Sequence, residues 1–141
     1  MTKKIIFMGT PLFAVPILKS LYQNGYPISV VYTQPPQKSQ RGQKINKSPI
    51  QGISETLNID FRAPQTLKDN DEEYKFLKEL NADLAIVVAY GQIIPKNFFS
   101  FSTNLGLLSK EDAIVLDKYL GSNFLEQIIL DGKETFEENV A

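Results

Sequence analysis

Leu84-Ala85-Ile86-Val87-Val88-Ala89 is the stretch whose reading decides the fold. Six apolar residues follow one another with no polar residue in alternate positions. A strand built from them must be covered on both faces, which is the condition at the centre of a parallel sheet. Gly91 closes the run. Toward the N-terminus, Lys4-Ile5-Ile6-Phe7-Met8 is a second apolar run, halted by Gly9, and also reads as a buried strand. Thr10-Pro11 then offers an N-cap and a proline in the first helical turn. Phe13, Val15, Ile17, Leu18 and Leu21 follow at helical spacing, Pro16 sits early enough to cost little, and Asn24-Gly25 is a stop. Ile28-Ser29-Val30-Val31-Tyr32 is the next strand, so the opening is a βαβ unit, whose crossover is right-handed in nearly all cases.

Outward from this frame, Thr33 to Lys47 reads as a loop, Ser48-Pro49 opens a short helix through Leu57, and Ile59-Asp60-Phe61 is a brief strand. Asp71 to Asn81 reads as a helix with acids in its first turn and Phe76, Leu77 and Leu80 on one side. The expected class is α/β: an open parallel sheet with helices on both faces. Ligands in such sheets collect at the carboxyl ends of the strands, here Gly9-Thr10, Thr33-Gln34 and Tyr90-Gly91.

Two zeros in the composition exclude whole classes of chemistry. The 141 residues contain no cysteine, hence no disulfide, thiolate nucleophile or Cys-based zinc site. They contain no histidine, hence no imidazole acid, base or ligand from this chain. Gly9-Thr10-Pro11 carries one glycine where a dinucleotide fingerprint needs three, so a nicotinamide dinucleotide is not expected. The N–H groups behind Gly9 remain suited to a polar or anionic ligand, which makes Gly9, Thr10 and Pro11 candidate substrate contacts. No metal site is expected. No apolar run approaches the roughly 18 residues that span a bilayer, and Met1-Thr2-Lys3-Lys4 leads into too short a stretch for a secretory signal. The expected address is cytoplasmic, without membrane partners.

A net charge of −1 conceals two unlike parts. Residues 1–106 hold twelve Lys or Arg against eight Asp or Glu, whereas residues 107–141 hold three against eight. All eight prolines fall between Pro11 and Pro95. The break divides the chain into residues 1–100 and a tail over 101–141. Within the first part no acid occurs from Tyr26 to Ser54, yet Lys38, Arg41, Lys44 and Lys47 all fall there. Surface charge ordinarily alternates in sign, so four cations in one loop point to a polyanion.

With these residues in place the chain resembles the methionyl-tRNA formyltransferase family. The resemblance rests on Phe7-Met8-Gly9-Thr10-Pro11-Leu12-Phe13-Ala14-Val15-Pro16 and Val31-Tyr32-Thr33-Gln34-Pro35. Arg41-Gly42-Gln43-Lys44, Ser48-Pro49 and Val87-Val88-Ala89-Tyr90-Gly91-Gln92-Ile93-Ile94-Pro95-Lys96 complete it, in family order and spacing from Lys3 to about Phe99. The resemblance implies a Rossmann-like N-terminal domain, formyl transfer from 10-formyltetrahydrofolate to methionine on initiator tRNA, and a basic loop that meets the acceptor stem. Arg41 and Lys44 match basic positions of that loop; Lys38 and Lys47 join them on charge alone. Val88, Ala89, Tyr90, Gly91, Gln92, Ile93 and Ile94 match the segment whose backbone lines the pterin pocket.

The resemblance ends before the chemistry. Amine attack on a formyl carbonyl builds a tetrahedral oxyanion and sheds a proton. The family meets these needs with an Asn-x-His-x-Ser-Leu-Leu-Pro segment and a later Asp. Here Asn104-Leu105-Gly106-Leu107-Leu108-Ser109 has glycine in place of histidine, lacks the proline and comes several residues early. No catalytic residue is therefore assigned. The tail reads as two helices, the first behind Ser109-Lys110-Glu111-Asp112 and the second behind Ser122, with no family suggested by its residues. The expectation is an incomplete formyltransferase domain with a helical acidic tail of unknown origin, unable to formylate alone; the alternative is a non-catalytic remnant that binds RNA or a pterin. An incomplete sheet would leave a flank of Leu84–Ala89 open and invite self-association.

Overall fold

The computed structural model describes residues 4–38, 45–98 and 104–107, and the structural statements below concern these. Strand β1 is Ile5–Gly9, β2 is Ile28–Tyr32, and β3 and β4 are the two-residue strands Gln37–Lys38 and Ile45–Asn46. Strand β5 is Phe61–Arg62, β6 is Leu84–Val88 and β7 is Asn104–Leu107. The helices are α1, Val15–Gln23; α2, Pro49–Thr56; and α3, Asp71–Leu80. Five strands form one sheet in the order β5-β2-β1-β6-β7, every neighbouring pair parallel. The expected Rossmann-like open parallel sheet is what the chain forms.

Alternation along the strands explains why both faces are apolar. Ile5, Phe7, Val31, Leu84, Ile86 and Val88 point to one face and pack with Ile17, Leu18 and Leu21 of α1 and Ile50 of α2. Ile6, Met8, Val30, Tyr32, Ala85 and Val87 point to the other and pack with Leu77 of α3, Leu67, Tyr90, Ile94 and Phe98. All five residues of β6 are buried, as a strand without alternation requires.

Local chemistry sets the element ends. Helix α1 stops in a Schellman arrangement: the Tyr26 N–H donates to Leu21 O at 3.1 Å and the Gly25 N–H to Tyr22 O at 3.1 Å, with Gly25 at φ +79°. Ser48 caps α2 by accepting from the Gln51 N–H at 3.0 Å. Asn70 caps α3 in the same way, and Asn81 ends it in the left-handed region at φ 48°.

Four expectations are corrected. Thr10-Pro11 does not open α1: Pro11 precedes a single 3-10 turn over Leu12–Ala14, α1 begins at Val15, and Thr10 spends its hydroxyl elsewhere. The brief strand is Phe61–Arg62 rather than Ile59–Phe61, because β2 accepts pairing only where Val31 and Tyr32 emerge beside it. The loop Thr33–Lys47 contains an antiparallel pair, Gln37 opposite Asn46 and Lys38 opposite Ile45. Residues 104–107, placed in the helical tail, form β7 against β6, so the flank of Leu84–Val88 that was expected to lie open is taken. The two tail helices expected beyond Ser109 lie outside the described residues.

Gly9 fits this packing in one way only. A Cβ there would stand 3.0 Å from the Val88 carbonyl oxygen, 3.0 Å from Phe7 Cε1 and 3.3 Å from Ala14 Cβ. Gly9→Ala is expected to lower stability by about 1–3 kcal/mol, the cost of overpacking a rigid core. Urea unfolding reads this directly, and an unchanged midpoint would show that β1 and β6 can part without penalty.

Candidate functional site

The strand order locates the site. From β1 the chain runs one way to β2 and β5, then crosses to β6 and β7 on the other side. The switch therefore falls between β1 and β6, and the crevice at their carboxyl ends is where such sheets take ligands. Thr10 follows β1 there, Gln34 follows β2, and Tyr90 to Ile94 follow β6.

A polar lattice closes over this crevice. The Thr10 hydroxyl donates to Tyr90 O at 2.7 Å and accepts from the Gln34 N–H at 3.2 Å. The Gln34 side-chain amide donates to Gly91 O at 2.8 Å, and its oxygen accepts from Gln92 Nε2 at 2.9 Å. Gln92 Nε2 donates a second time, to Pro64 O at 2.9 Å, which draws in the loop after β5. Two backbone carbonyls, Gly91 O and Pro64 O, leave each amide one workable orientation.

The backbone after β6 turns sharply. Ala89 lies at φ 49° and Gly91 at φ 91°. A left-handed alanine costs about 1–2 kcal/mol and persists only where its surroundings hold it, which is common at ligand sites. Gly91 is favoured by its φ, and a Cβ there would displace the Gln34 amide, whose Nε2 would stand 2.7 Å away.

Of the seven candidate pterin-lining residues, Val88, Tyr90 and Ile94 bury their side chains in the two cores, so those side chains are not available to a ligand. Ala89, Gly91 and Ile93 are exposed, Ile93 at 84%. With Leu12, 72% exposed in the turn after β1, Ile93 gives the carboxyl end of the sheet an apolar rim. Gly9 is packed shut against Val88, Phe7 and Ala14, which leaves Thr10 and Pro11 as the accessible members of the candidate substrate turn.

Among the four candidate RNA-contacting cations, Lys47 is paired with Glu55 at 2.8 Å, an exposed contact that holds the Glu55 carboxyl below its ordinary range. Lys38 stands in β3. Arg41 and Lys44 lie outside the described residues. The root of their loop is firmly held: Thr33 and Ser48, one at each end, join hydroxyls at 2.6 Å in a buried contact, above which β3 and β4 pair.

The sequence reading missed a second polar cluster, on the α3 face of the sheet. Glu73 is buried and accepts from Tyr32 OH at 2.5 Å and from Arg62 Nε at 2.8 Å. Arg62 also lies over the Phe76 ring at 4.1 Å. An acid in the first turn of a helix looks like a dipole partner, and nothing in its spacing distinguishes Glu73 from Asp71 and Glu72. Two cavities lie away from the crevice, at the amino ends of β2 and β5. The larger, about 560 Å³, is lined by Ser29, Asn58, Asp60 and Arg62 among others. Among the described residues no group of three Asp, Glu, His or Cys could hold a metal, and no helix is long and apolar enough to cross a membrane.

A parallel sheet in the order β5-β2-β1-β6-β7, with its crevice at the first crossover and helices on both faces, is the Rossmann-like arrangement of a formyl transferase N-terminal domain. The chain belongs to the formyl transferase family, which it matches over residues 3–136. Its relatives are methionyl-tRNA formyltransferases. That of Pelagibacter ubique (strain HTCC1062) is 59% identical over 136 residues, 96% of this chain and 43% of that protein. Those of Chelativorans sp. (strain BNC1) and Caldanaerobacter subterraneus subsp. tengcongensis are each 38% identical over 133 residues, 94% of this chain and 42% of each protein. The chain thus spans less than half the length of these curated relatives. The family match runs past Phe99 to residue 136, so most of the tail whose residues suggested no family lies within it.

Proposed function

We infer that this chain is the folate-side and tRNA-side portion of a methionyl-tRNA formyltransferase, working in the cytoplasm on initiator Met-tRNA with 10-formyltetrahydrofolate. The observation that carries the reading is the convergence of the β1, β2 and β6 carboxyl ends on one crevice, with the root of the basic loop 34–47 directly attached to it. In this reading the backbone from Val88 to Ile94, with Ile93 as its exposed apolar side chain, holds the pterin. Thr10 and Pro11 face the substrate amine. Bound 10-formyltetrahydrofolate would supply the formyl carbon, and Lys38, Arg41, Lys44 and Lys47 would neutralise acceptor-stem phosphates.

The chain carries no histidine, so the histidine of the family's Asn-x-His-x-Ser-Leu-Leu-Pro segment has no counterpart in it. With no imidazole to take the proton from the attacking amine, the purified chain should bind without transferring formyl groups. Two assays test this together. Formylation of Met-tRNA by the purified chain should stay at the blank level; methionine-specific transfer would refute the missing-base argument. Initiator tRNA should be retarded in a gel with an affinity that falls steeply with salt. Arg41→Ala should lower the slope of log K against log salt by about one. Binding indifferent to salt would remove the RNA half of the reading. Binding of tRNA or folate without transfer is also the behaviour of a non-catalytic remnant, the alternative that the absent histidine favours.

A further inference from the structure

We propose that Thr10 is a positioning residue for the turn after β6. Its hydroxyl, together with the Gln34 amide, orients two peptide planes so that the Gly91 and Gln92 N–H groups stand as a donor pair for a carbonyl oxygen of the bound folate. This rests on the reading above, in which a folate lies against that turn. The Thr10 hydroxyl donates to Tyr90 O at 2.7 Å. The Gln34 side-chain amide donates to the next carbonyl, Gly91 O, at 2.8 Å. Thr10 and Gln34 touch, the Gln34 N–H donating to Thr10 Oγ1 at 3.2 Å, so both carbonyls are drawn to one side, that of β1 and β2.

A peptide unit is planar and, throughout the described residues, trans, so its C=O and its N–H point in opposite directions. Tyr90 O shares a plane with the Gly91 N–H, and Gly91 O shares one with the Gln92 N–H. Holding the two oxygens toward β1 and β2 therefore turns both N–H groups away, to the open side of the turn, where Gly91 is exposed. Neither N–H has a hydrogen-bond partner among the described residues. Gly91 lies between the two groups at φ 91°, and a left-handed residue in that place gathers successive amides around an acceptor. Donors fixed in advance hold an oxygen more tightly than donors that must be ordered on binding. Toward the folate, Thr10 thus acts through the plane it holds rather than by contact.

The experiment measures the dissociation constant of 5-formyltetrahydrofolate, a stable folate, while NMR follows the backbone amides of the isotope-labelled chain. In the wild-type chain the Gly91 and Gln92 amide protons should move downfield as the folate binds. Thr10→Val keeps the shape of the side chain and loses both hydrogen bonds. It should weaken folate binding about tenfold, the worth of one well-made hydrogen bond, and the two amides should no longer respond. Thr10→Ser should restore both the affinity and the response. Undiminished affinity in Thr10→Val overturns the assignment. So does weakened affinity with both amides still moving, which makes Thr10 a direct contact, and so does a serine that fails to rescue. Folate binding by the wild-type chain that leaves both amide protons in place overturns the assignment and spares the functional reading. Failure of the wild-type chain to bind the folate at all overturns the functional reading itself. Should Thr10→Val not fold, Gln34→Met, which frees Gly91 O, takes its place with the same expected loss.

Discussion

Glu73→Ala is expected to lower the unfolding free energy by about 3 kcal/mol, a large share of the 5–15 kcal/mol a domain of this size commands. The carboxylate is buried and serves two donors from two different elements, Tyr32 at the end of β2 and Arg62 in β5. Its removal leaves the Tyr32 hydroxyl buried without its partner, which costs about 1–3 kcal/mol alone. Arg62 loses a charge-assisted bond but is less affected, because its side chain is 30% exposed and keeps Phe76 beneath it. For that reason the expected figure lies at the bottom of the range for breaking a buried pair. Glu73→Gln, which can still meet one of the donors, should fall about halfway. Chemical denaturation of the three proteins is the measurement. A loss below about 1 kcal/mol for Glu73→Ala would mean that water reaches Tyr32 and that the cluster is not closed.

The second large effect appears at high pH. Burial, reinforced for Tyr32 by the neighbouring Glu73 carboxylate, pushes the hydroxyls of Tyr32 and Tyr90 well above the ordinary tyrosine range. A raised pKa in the folded chain means that the unfolded chain releases the proton first. The stability these groups contribute is thus complete below about pH 10 and is lost as pH rises beyond it. Two such groups give a decline that approaches about 2.7 kcal/mol per pH unit, so stability should have fallen by about 3 kcal/mol at pH 11. Each Tyr→Phe replacement should remove about half of that slope. The two variants should differ at neutral pH. Tyr32→Phe loses a hydrogen bond to Glu73, whereas the buried Tyr90 hydroxyl has no hydrogen-bond partner among the described residues. Tyr90→Phe should accordingly be more stable than wild type by about 1 kcal/mol. Equal slopes above pH 10 in wild type and both variants would show that these hydroxyls reach solvent in the folded chain.

These expectations draw on different levels of the chain's organisation. The sheet and its site end were legible in the sequence because burial on two faces demands unbroken apolar runs. Ile5–Gly9, Ile28–Tyr32 and Leu84–Val88 could hardly be anything else. Helix ends were legible where one residue sets them: Ser48 caps α2 with its hydroxyl, and Asn81 and Gly25 take the left-handed backbone that stops α3 and α1. β7 was not legible: four residues including a glycine acquire strand character by pairing with β6, and pairing has no local signal. Thr10 was misread as a cap for a related reason. A threonine before proline caps helices often, and only the approach of Tyr90, eighty positions away, gives its hydroxyl another partner.

The candidate site divides along the same line. Sequence by itself determined where the strands end, and so which turns, Gly9-Thr10, Thr33-Gln34 and Tyr90-Gly91, meet at the carboxyl end of the sheet. It also determined that no imidazole would be present. Only the tertiary structure decided that Gln34 would clasp Gly91 and Gln92, and that Glu73 would stand between Tyr32 and Arg62. An amide or a carboxylate has no preferred partner within its own segment. Its bonds go to whichever groups the packed core has brought within about 3 Å and shielded from water.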